Sequence, residues 1–416
     1  MSTTGELVCL GGLLVAIFIA SNWRRLVEPP RYRGEPDPVQ GLRGFLAMGV
    51  FLQHALIWRH YTQHEGWHEV RYFEQFGEGR VILFFMLSAF LFYGRLVDAR
   101  NGRKSFDWLR LAVSRFLRLA PAYWLAMLLM FVVVAIAFRW QVDGAGSEAL
   151  HTSWSDIVTQ STAWMGFAML GMPAIANYFP TPIVTAGMAW TMPYEITFYL
   201  LLPLLALPLR VRMPAVALAV GLAAAMWLAA WSPAVGLCTP YLGGMAAAVL
   251  VRVPGVAERL RGRAASVVVL AVMAASFGLF DTNYGVLPMA LLMSTVVIVG
   301  AGNDMFGVLR SRALQRLGAM AYSLYVLHGI GLYVMFMFVL GEERSAALGP
   351  WAFALVVAVT VAAVVAACMA SRRWIELPPM RRVAALTARL RGLAAPAAGT
   401  GVAAAAHERA PALKSD

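Results

Sequence analysis

An all-α, polytopic transmembrane helix bundle is the fold class this sequence predicts, and three observations predict it. Of 416 residues, 60% are hydrophobic and only 13% are charged, where a soluble domain carries about 25% charged residues. Mean hydropathy is +0.67. Apolar runs of span length recur along the chain without the alternation of a barrel strand. Inside lipid, a helix pairs every backbone polar group within its own segment, so such runs mean helices.

Eleven spans are expected, at 7–23, 42–58, 81–97, 116–138, 186–209, 213–231, 235–251, 264–280, 286–299, 320–340 and 351–369. The first lacks a basic start and is followed by Arg24 and Arg25, which marks a retained span rather than a signal peptide. Alternate loops are basic. They carry Arg24, Arg25, Arg31 and Arg33; Arg100, Arg103, Lys104 and Arg110; Arg210 and Arg212; Arg259, Arg261 and Arg263; and Arg310, Arg312 and Arg316. The segment after the last span adds Arg372, Arg373, Arg381 and Arg382, while the intervening loops are acidic or sparse. The positive-inside rule then puts the N-terminus outside and the C-terminus in the cytoplasm, which requires an odd number of spans.

The long outer loop at 139–185 contains a semi-apolar piece, 157–172, too polar for a span and expected at the interface or folded back into the protein. Three units follow: an extra N-terminal helix with a basic linker at 1–34, a membrane-embedded domain at 35–383, and a tail at 384–416. The tail is rich in Ala, Arg, Gly and Pro, and is expected to be disordered. The net charge of +12 is explained by the short basic loops, so the expected surroundings are membrane lipids and not nucleic acid. The three cysteines, Cys9, Cys238 and Cys368, lie in apolar runs without ligand spacing, so neither disulfide nor metal is expected of them.

Ionisable side chains inside spans are costly and are functional candidates by default. In GLRGFLAMGVFLQHALIW, Arg43 and His54 are eleven residues apart, roughly 16 Å by helix rise and close to three full turns, so they share a face. A neutral imidazole can take a proton from a hydroxyl, and a guanidinium at the inner edge can hold phosphate. A snorkelling arginine and a histidine bonded to a neighbouring helix fit the same spacing. In SRFLRLAPAYW, Arg115 and Arg118 share a face at i, i+3, either as a basic anchor or as the second half of an anion site near Arg43. In AWTMPYEITFYLLLPLL, Glu195 lies one turn from both Thr191 and Tyr199. It is open as a helix-to-helix ion pair, an orienter of His54 or a wall of an acyl tunnel. In LGAMAYSLYVLHGIGLY, Tyr322, Tyr325 and His328 recur at threes beside Ser323, as aromatic packing or as the lining of a polar acceptor site.

These segments, in this order, resemble the acyltransferase-3 family of integral membrane acyltransferases. The resemblance runs from Gln40 to about Pro378 and rests on the Arg43–His54 pair, LFFMLSAFL, RFLRLAP, WTMPYEITFYLLLP, LGAMAYSLYVLH and the closing WIELP. It implies a multi-pass enzyme of the bacterial inner membrane that takes an acyl group, often acetyl, from cytoplasmic acyl-CoA. The acceptor it implies is a hydroxyl on a surface or secreted glycan, a lipid-linked sugar or a small molecule. Acyl-CoA enters as a substrate, and no permanently bound cofactor is implied. His54 is the expected catalytic residue with Glu195 beside it. Arg43, Arg115 and Arg118 are the expected donor-binding cations, and Trp190, Tyr199, Tyr325 and His328 the expected substrate contacts. On this reading Arg43 and His54 line one passage for the thioester arm. The sequence departs from the family where an acid usually precedes LFF, since Arg80 stands there, and at Ala89, where glycine usually follows the serine.

Two other readings remain. A polytopic transporter of a small or lipid-linked substrate also needs many spans and a few buried charges, and usually shows an internal repeat; none is visible here. His64-Glu65-Gly66-Trp67-His68 is a literal H-E-x-x-H. It contains glycine and sits in a short loop, so no metal is expected there.

Overall fold

The computed structural model describes residues 3–22, 36–64, 67, 71–102, 106–140, 152–231 and 235–394. Among them the chain is helical throughout, apart from loops and one isolated bridge between Ile175 and Tyr178. The helices in order begin with α1 (Thr3–Asn22), α2 (Pro38–His64), α3 (Arg71–Arg100), α4 (Trp108–Trp140), α5 (Trp154–Met165) and α6 (Thr181–Val184). A 3-10 turn at Met188–Thr191 leads into α7 (Met192–Ala206), followed by α8 (Ala215–Trp231), α9 (Thr239–Leu250), α10 (Val256–Leu260), α11 (Arg263–Gly278) and α12 (Val286–Gly300). Then come α13 (Arg312–Ala319), α14 (Ala321–Tyr333) with a π segment at Val334–Leu340, α15 (Glu342–Ala346) and α16 (Pro350–Ser371). A π turn at Arg372–Glu376 joins α16 to α17 (Leu377–Arg381) and α18 (Val383–Ala394).

Each of the eleven apolar segments read from the sequence coincides with one of these helices. Among the described residues, five helical stretches are long and apolar enough to cross a membrane: Pro38–Gln63, Gly77–Arg100, Trp108–Trp140, Ala321–Leu340 and Pro350–Leu393. Most of the remaining apolar helices are shorter, such as Ala215–Trp231 and Val286–Gly300. The chain is an all-helical membrane protein.

Local chemistry sets where the central helix begins. Asp37 accepts the backbone N–H of Val39 at 2.9 Å, and Pro38 opens α2, where its missing N–H costs nothing. α2 then packs against α1, α3, α13 and α14. Its approach to α13 is backbone to backbone. A Cβ on Gly44 would lie 2.5 Å from the nitrogen of Gly318, and one on Gly318 would lie 1.9 Å from the carbonyl oxygen of Gln40. Small residues at such crossings are the usual means of close helix packing in membranes. This crossing holds Arg43, between Gln40 and Gly44, against the end of α13.

α1 packs along α13 and α16. Arg316, buried on α13, donates to the carbonyl oxygens of Ala20 at 2.5 Å and Ser21 at 2.8 Å. These belong to the last turn of α1, whose carbonyls have no partner within their own helix. The extra N-terminal helix is thereby fastened to the bundle.

The semi-apolar piece at 157–172 folds back, as α5 and the turns after it. Trp164 is fully buried. Its carbonyl accepts Tyr123 Oη–H at 2.8 Å, and its indole N–H donates to Pro173 O at 2.9 Å. Tyr178 and Tyr333 share a hydroxyl–hydroxyl bond that ties this loop to α14.

The expected disordered tail at 384–416 needs correction at its start. Residues Val383–Ala394 form α18 against α4. Ala, Leu and Arg are strong helix formers, and composition alone hides this when few apolar residues other than alanine are present. Arg391 pairs with Asp107 at 2.5 Å, just before α4 begins. Burial pushes the Asp107 carboxyl up, but the N–H of Arg110 and the Arg391 guanidinium outweigh it and hold it below the usual carboxylate range.

Candidate active site

A cavity of about 360 Å³ lies between α2, α3, α4, α7, α14 and the Arg372–Glu376 turn. Its walls include Arg43 and Gln40, Phe84, Ser88 and Phe92, Arg115 and Arg118, Thr191, Glu195 and Tyr199, Tyr322 and Tyr325, and Arg372.

The charges in it are unevenly matched. Arg118 Nη1 pairs with the fully buried Glu376 at 3.2 Å, and its Nη2 donates to Ala319 O at 3.2 Å. Arg372 donates to the same carbonyl at 2.5 Å. That carbonyl is in the last turn of α13, the negative end of the helix dipole. Glu376 also accepts the hydroxyl of Ser323. A π turn places Arg372 and Glu376 on the inner side, buried, while Arg373, Trp374 and Ile375 stay exposed. Glu195 accepts the Tyr199 hydroxyl at 2.5 Å.

Two guanidiniums are left over. Arg115 lies 4.7 Å above the ring of Phe92, and its buried Nε has no hydrogen-bond partner. The Arg43 side chain forms no hydrogen bond or salt bridge among the described residues, and the charges around it are those of Arg118, Glu195 and Arg115. The hydroxyl of Tyr322 is likewise buried without a partner. Cationic forks and a phenol with unused donors in a semi-enclosed cavity are suited to an anion.

Beyond this cavity lies a pair of histidines. His328 Nε2 is 3.0 Å from His54 Nδ1, and the ring centroids are 4.9 Å apart. His54 Nδ1 is also 3.0 Å from Val50 O. His328 Nδ1 is 2.8 Å from Tyr325 O and 3.1 Å from Leu324 O. Trp67 stacks over His54 at 6.4 Å. Neither histidine lines the cavity. Tyr325 does, and its ring is 6.1 Å from that of His328. It is held there by hydroxyl bonds to Thr191 at 2.7 Å and Met188 O at 3.0 Å. Tyr325 thus borders both the cavity and the histidine pair, and the cavity along the shared face of α2 does not itself reach either histidine.

The structure thus brings Arg43, Arg115, Arg118, Glu195, Tyr199 and Tyr325 together around one cavity, and His54 and His328 together behind it. Glu195 is bonded to Tyr199, and the ring that bonds His54 is His328. Trp190 stays outside the lining, edge-on to Phe85 and Tyr194. Where the family usually carries an acid, Arg80 donates to Gly49 O at 2.9 Å and braces α3 on α2. Sequence reasoning missed Glu376 and Arg372 as parts of the site, and left Tyr322 and Ser323 open between packing and an acceptor lining. The WIELP motif was the available signal for the first of these, because its glutamate closely follows an apolar span. The H-E-x-x-H match lies outside the described residues, apart from Trp67 and the backbone of His64.

Comparison with known proteins identifies the family. Residues 39–369 match the acyltransferase-3 family profile, described as an acyltransferase domain. A curated relative, the acyltransferase MdmB of Streptomyces mycarofaciens, is 25% identical over 338 residues, covering 72% of this chain and 79% of the relative. No solved structure gives a significant match. The matched segment spans α2 to α16 and so contains Arg43, Arg115 and Arg118 of the cavity and both histidines, while Arg372 lies just beyond it. The chain belongs to the acyltransferase-3 family and is a membrane acyltransferase.

Proposed function

We propose that this acyltransferase moves an acetyl or other short acyl group from cytoplasmic acyl-CoA onto a hydroxyl, with His54 as the base. The observation that carries the reading is the pair of unmatched guanidiniums, Arg43 and Arg115, in a cavity that ends at the Tyr325 ring beside the histidines. Phosphates of the donor would sit at Arg43, Arg115 and Arg118, and its thin arm would run toward Tyr325. The helix rise from Arg43 to His54, about 16 Å, suits an extended arm. Tyr199, Tyr322 and Glu195 would flank the arm, and the rings of Phe84 and Tyr325, 6.4 Å apart, would have to part for the thioester to reach His54.

The chemistry is a balanced acyl transfer. His54 removes the proton of the acceptor hydroxyl, the oxygen bonds to the thioester carbonyl carbon, the carbon–sulfur bond breaks, and the thiolate recovers the proton. The acceptor is a hydroxyl of a surface or secreted glycan, a lipid-linked sugar or a small molecule. The chain crosses a bacterial inner membrane eleven times with its N-terminus outside. The family membership supports acyl transfer itself; the donor, the acceptor and the bacterial inner membrane are proposed.

The test incubates membranes containing the full chain with radiolabelled acetyl-CoA and follows label in product. His54→Ala is expected to lower transfer by about 100-fold or more, the scale of a lost general base. Arg43→Ala is expected chiefly to raise KM for acetyl-CoA. Full transfer by His54→Ala membranes would overturn the assignment.

A further inference from the structure

We propose that His328 is a positioning residue that fixes the tautomer of His54, so that Nε2 of His54 is the nitrogen that takes the proton. This rests on the reading of His54 as the base and extends it to a second ring.

The argument is one of donors and acceptors. A carbonyl oxygen can only accept. His328 Nδ1 faces two of them, Tyr325 O at 2.8 Å and Leu324 O at 3.1 Å, so Nδ1 carries the hydrogen. A neutral imidazole has one N–H, which leaves a lone pair on His328 Nε2. That lone pair faces His54 Nδ1 at 3.0 Å. His54 Nδ1 faces a carbonyl as well, Val50 O at 3.0 Å. It must therefore be protonated, sharing its hydrogen between Val50 O and His328 Nε2. The lone pair of His54 is then on Nε2, the one ring nitrogen of the pair that hydrogen-bonds to no described residue. The opposite tautomer would set the His54 Nδ1 lone pair against two acceptors in a buried site, where mismatched polar contacts are most costly.

Three backbone carbonyls on two helices thus order the protons through two rings. When His54 Nε2 takes the hydroxyl proton, its Nδ1–H becomes the donor of a charge-assisted bond to His328, which is stronger than the bond it replaces. His328 does not exchange a proton in this scheme, because its own Nδ1–H stays with the carbonyls of α14. It plays the part that an orienting carboxylate plays in serine hydrolases, with a neutral acceptor in place of a charged one.

Substitution separates this from packing. A glutamine at 328 can place an amide oxygen near the position of Nε2, whereas an asparagine reaches only the position of Nδ1. In membranes given radiolabelled acetyl-CoA, His328→Gln is expected to keep kcat within about tenfold, while His328→Asn and His328→Leu lose about 100-fold or more, with KM for acetyl-CoA unchanged. Equal activity of the Gln and Leu variants, or a loss confined to KM, would overturn the proposal. Nitrogen-15 NMR of the unsubstituted chain in membranes gives a second reading that needs no variant to fold. It is expected to show His54 protonated at Nδ1 and bare at Nε2; the reverse would refute the scheme. Active His54→Ala would remove the base reading itself, whereas inactive His54→Ala beside a fully active His328→Leu would remove only this inference.

Discussion

At the scale of single residues, the site is defined by which charges have partners. Arg118 and Glu376 form a buried pair across the cavity wall, with Ser323 on the same carboxylate. Taking one partner from a buried ion pair strands the other, which typically costs about 3–5 kcal/mol, whereas replacing both by apolar groups is often neutral. Glu376→Gln is therefore expected to lower stability by about 3 kcal/mol, read by thermal unfolding in detergent. The double variant Arg118→Leu/Glu376→Leu should recover at least half of that. A double variant as unstable as the sum of the single ones would show that the two side chains do not act as a pair. The sequence exposes the individual costly residues well, since Arg43, His54, Arg115, Glu195 and His328 stand out against apolar surroundings. It does not pair them. Arg118 and Glu376 are 258 residues apart, and His54 and His328 are 274 apart. No helical spacing relates such positions. Glu195 and Tyr199, four apart on one helix, were the one bonded pair that periodicity could anticipate.

Helices show the same division between local and distant information. The apolar runs mark all eleven predicted segments because lipid demands long unbroken hydrophobicity. The crossing of α2 on α13 is a different matter. Gly44, inside a predicted span, and Gly318, just before one, look like ordinary glycines until the two backbones are seen to touch. A Cβ on Gly318 would meet the backbone oxygen of Gln40 at 1.9 Å, and backbone cannot turn aside as a side chain does. Gly318→Ala is expected to force α2 and α13 apart at a cost of about 1–3 kcal/mol, the range for overpacking, and to displace Arg43. A fall in thermal stability together with a raised KM for acetyl-CoA would record both effects; unchanged stability would mean that the crossing is looser than the contact distances indicate. The π turn at Arg372–Glu376 was illegible for a related reason. Arg372 and Glu376 are four apart, a spacing that sets them on one face, but nothing local says that this face turns inward to meet Ala319 and Arg118.

Across the whole molecule, charge distribution and helix count make one joint statement. The N-terminal helix is fastened by Arg316 to α13 and packs along α16. It is a built part of the bundle, although the family match begins only at residue 39. With an odd number of spans the two ends of the chain lie on opposite faces of the membrane. A cysteine introduced at Ser2 is expected to react with an impermeant maleimide in sealed right-side-out vesicles, and one introduced at Ser415 only after the vesicles are opened. Equal reactivity at both ends before opening would rule out this topology. Composition and the positive-inside pattern speak to this scale, because they reflect insertion into lipid and not the packing of one helix on another.

The ring of Tyr325 has a bearing on economy of turnover. On the proposed chemistry, a donor can seat its phosphates and extend its arm while the imidazole is still screened from the carbonyl by that ring. Binding and discharge are then two events with a gate between them, and water arriving alone finds the thioester on one side and the base on the other. An enzyme built this way wastes little donor when no acceptor is at hand.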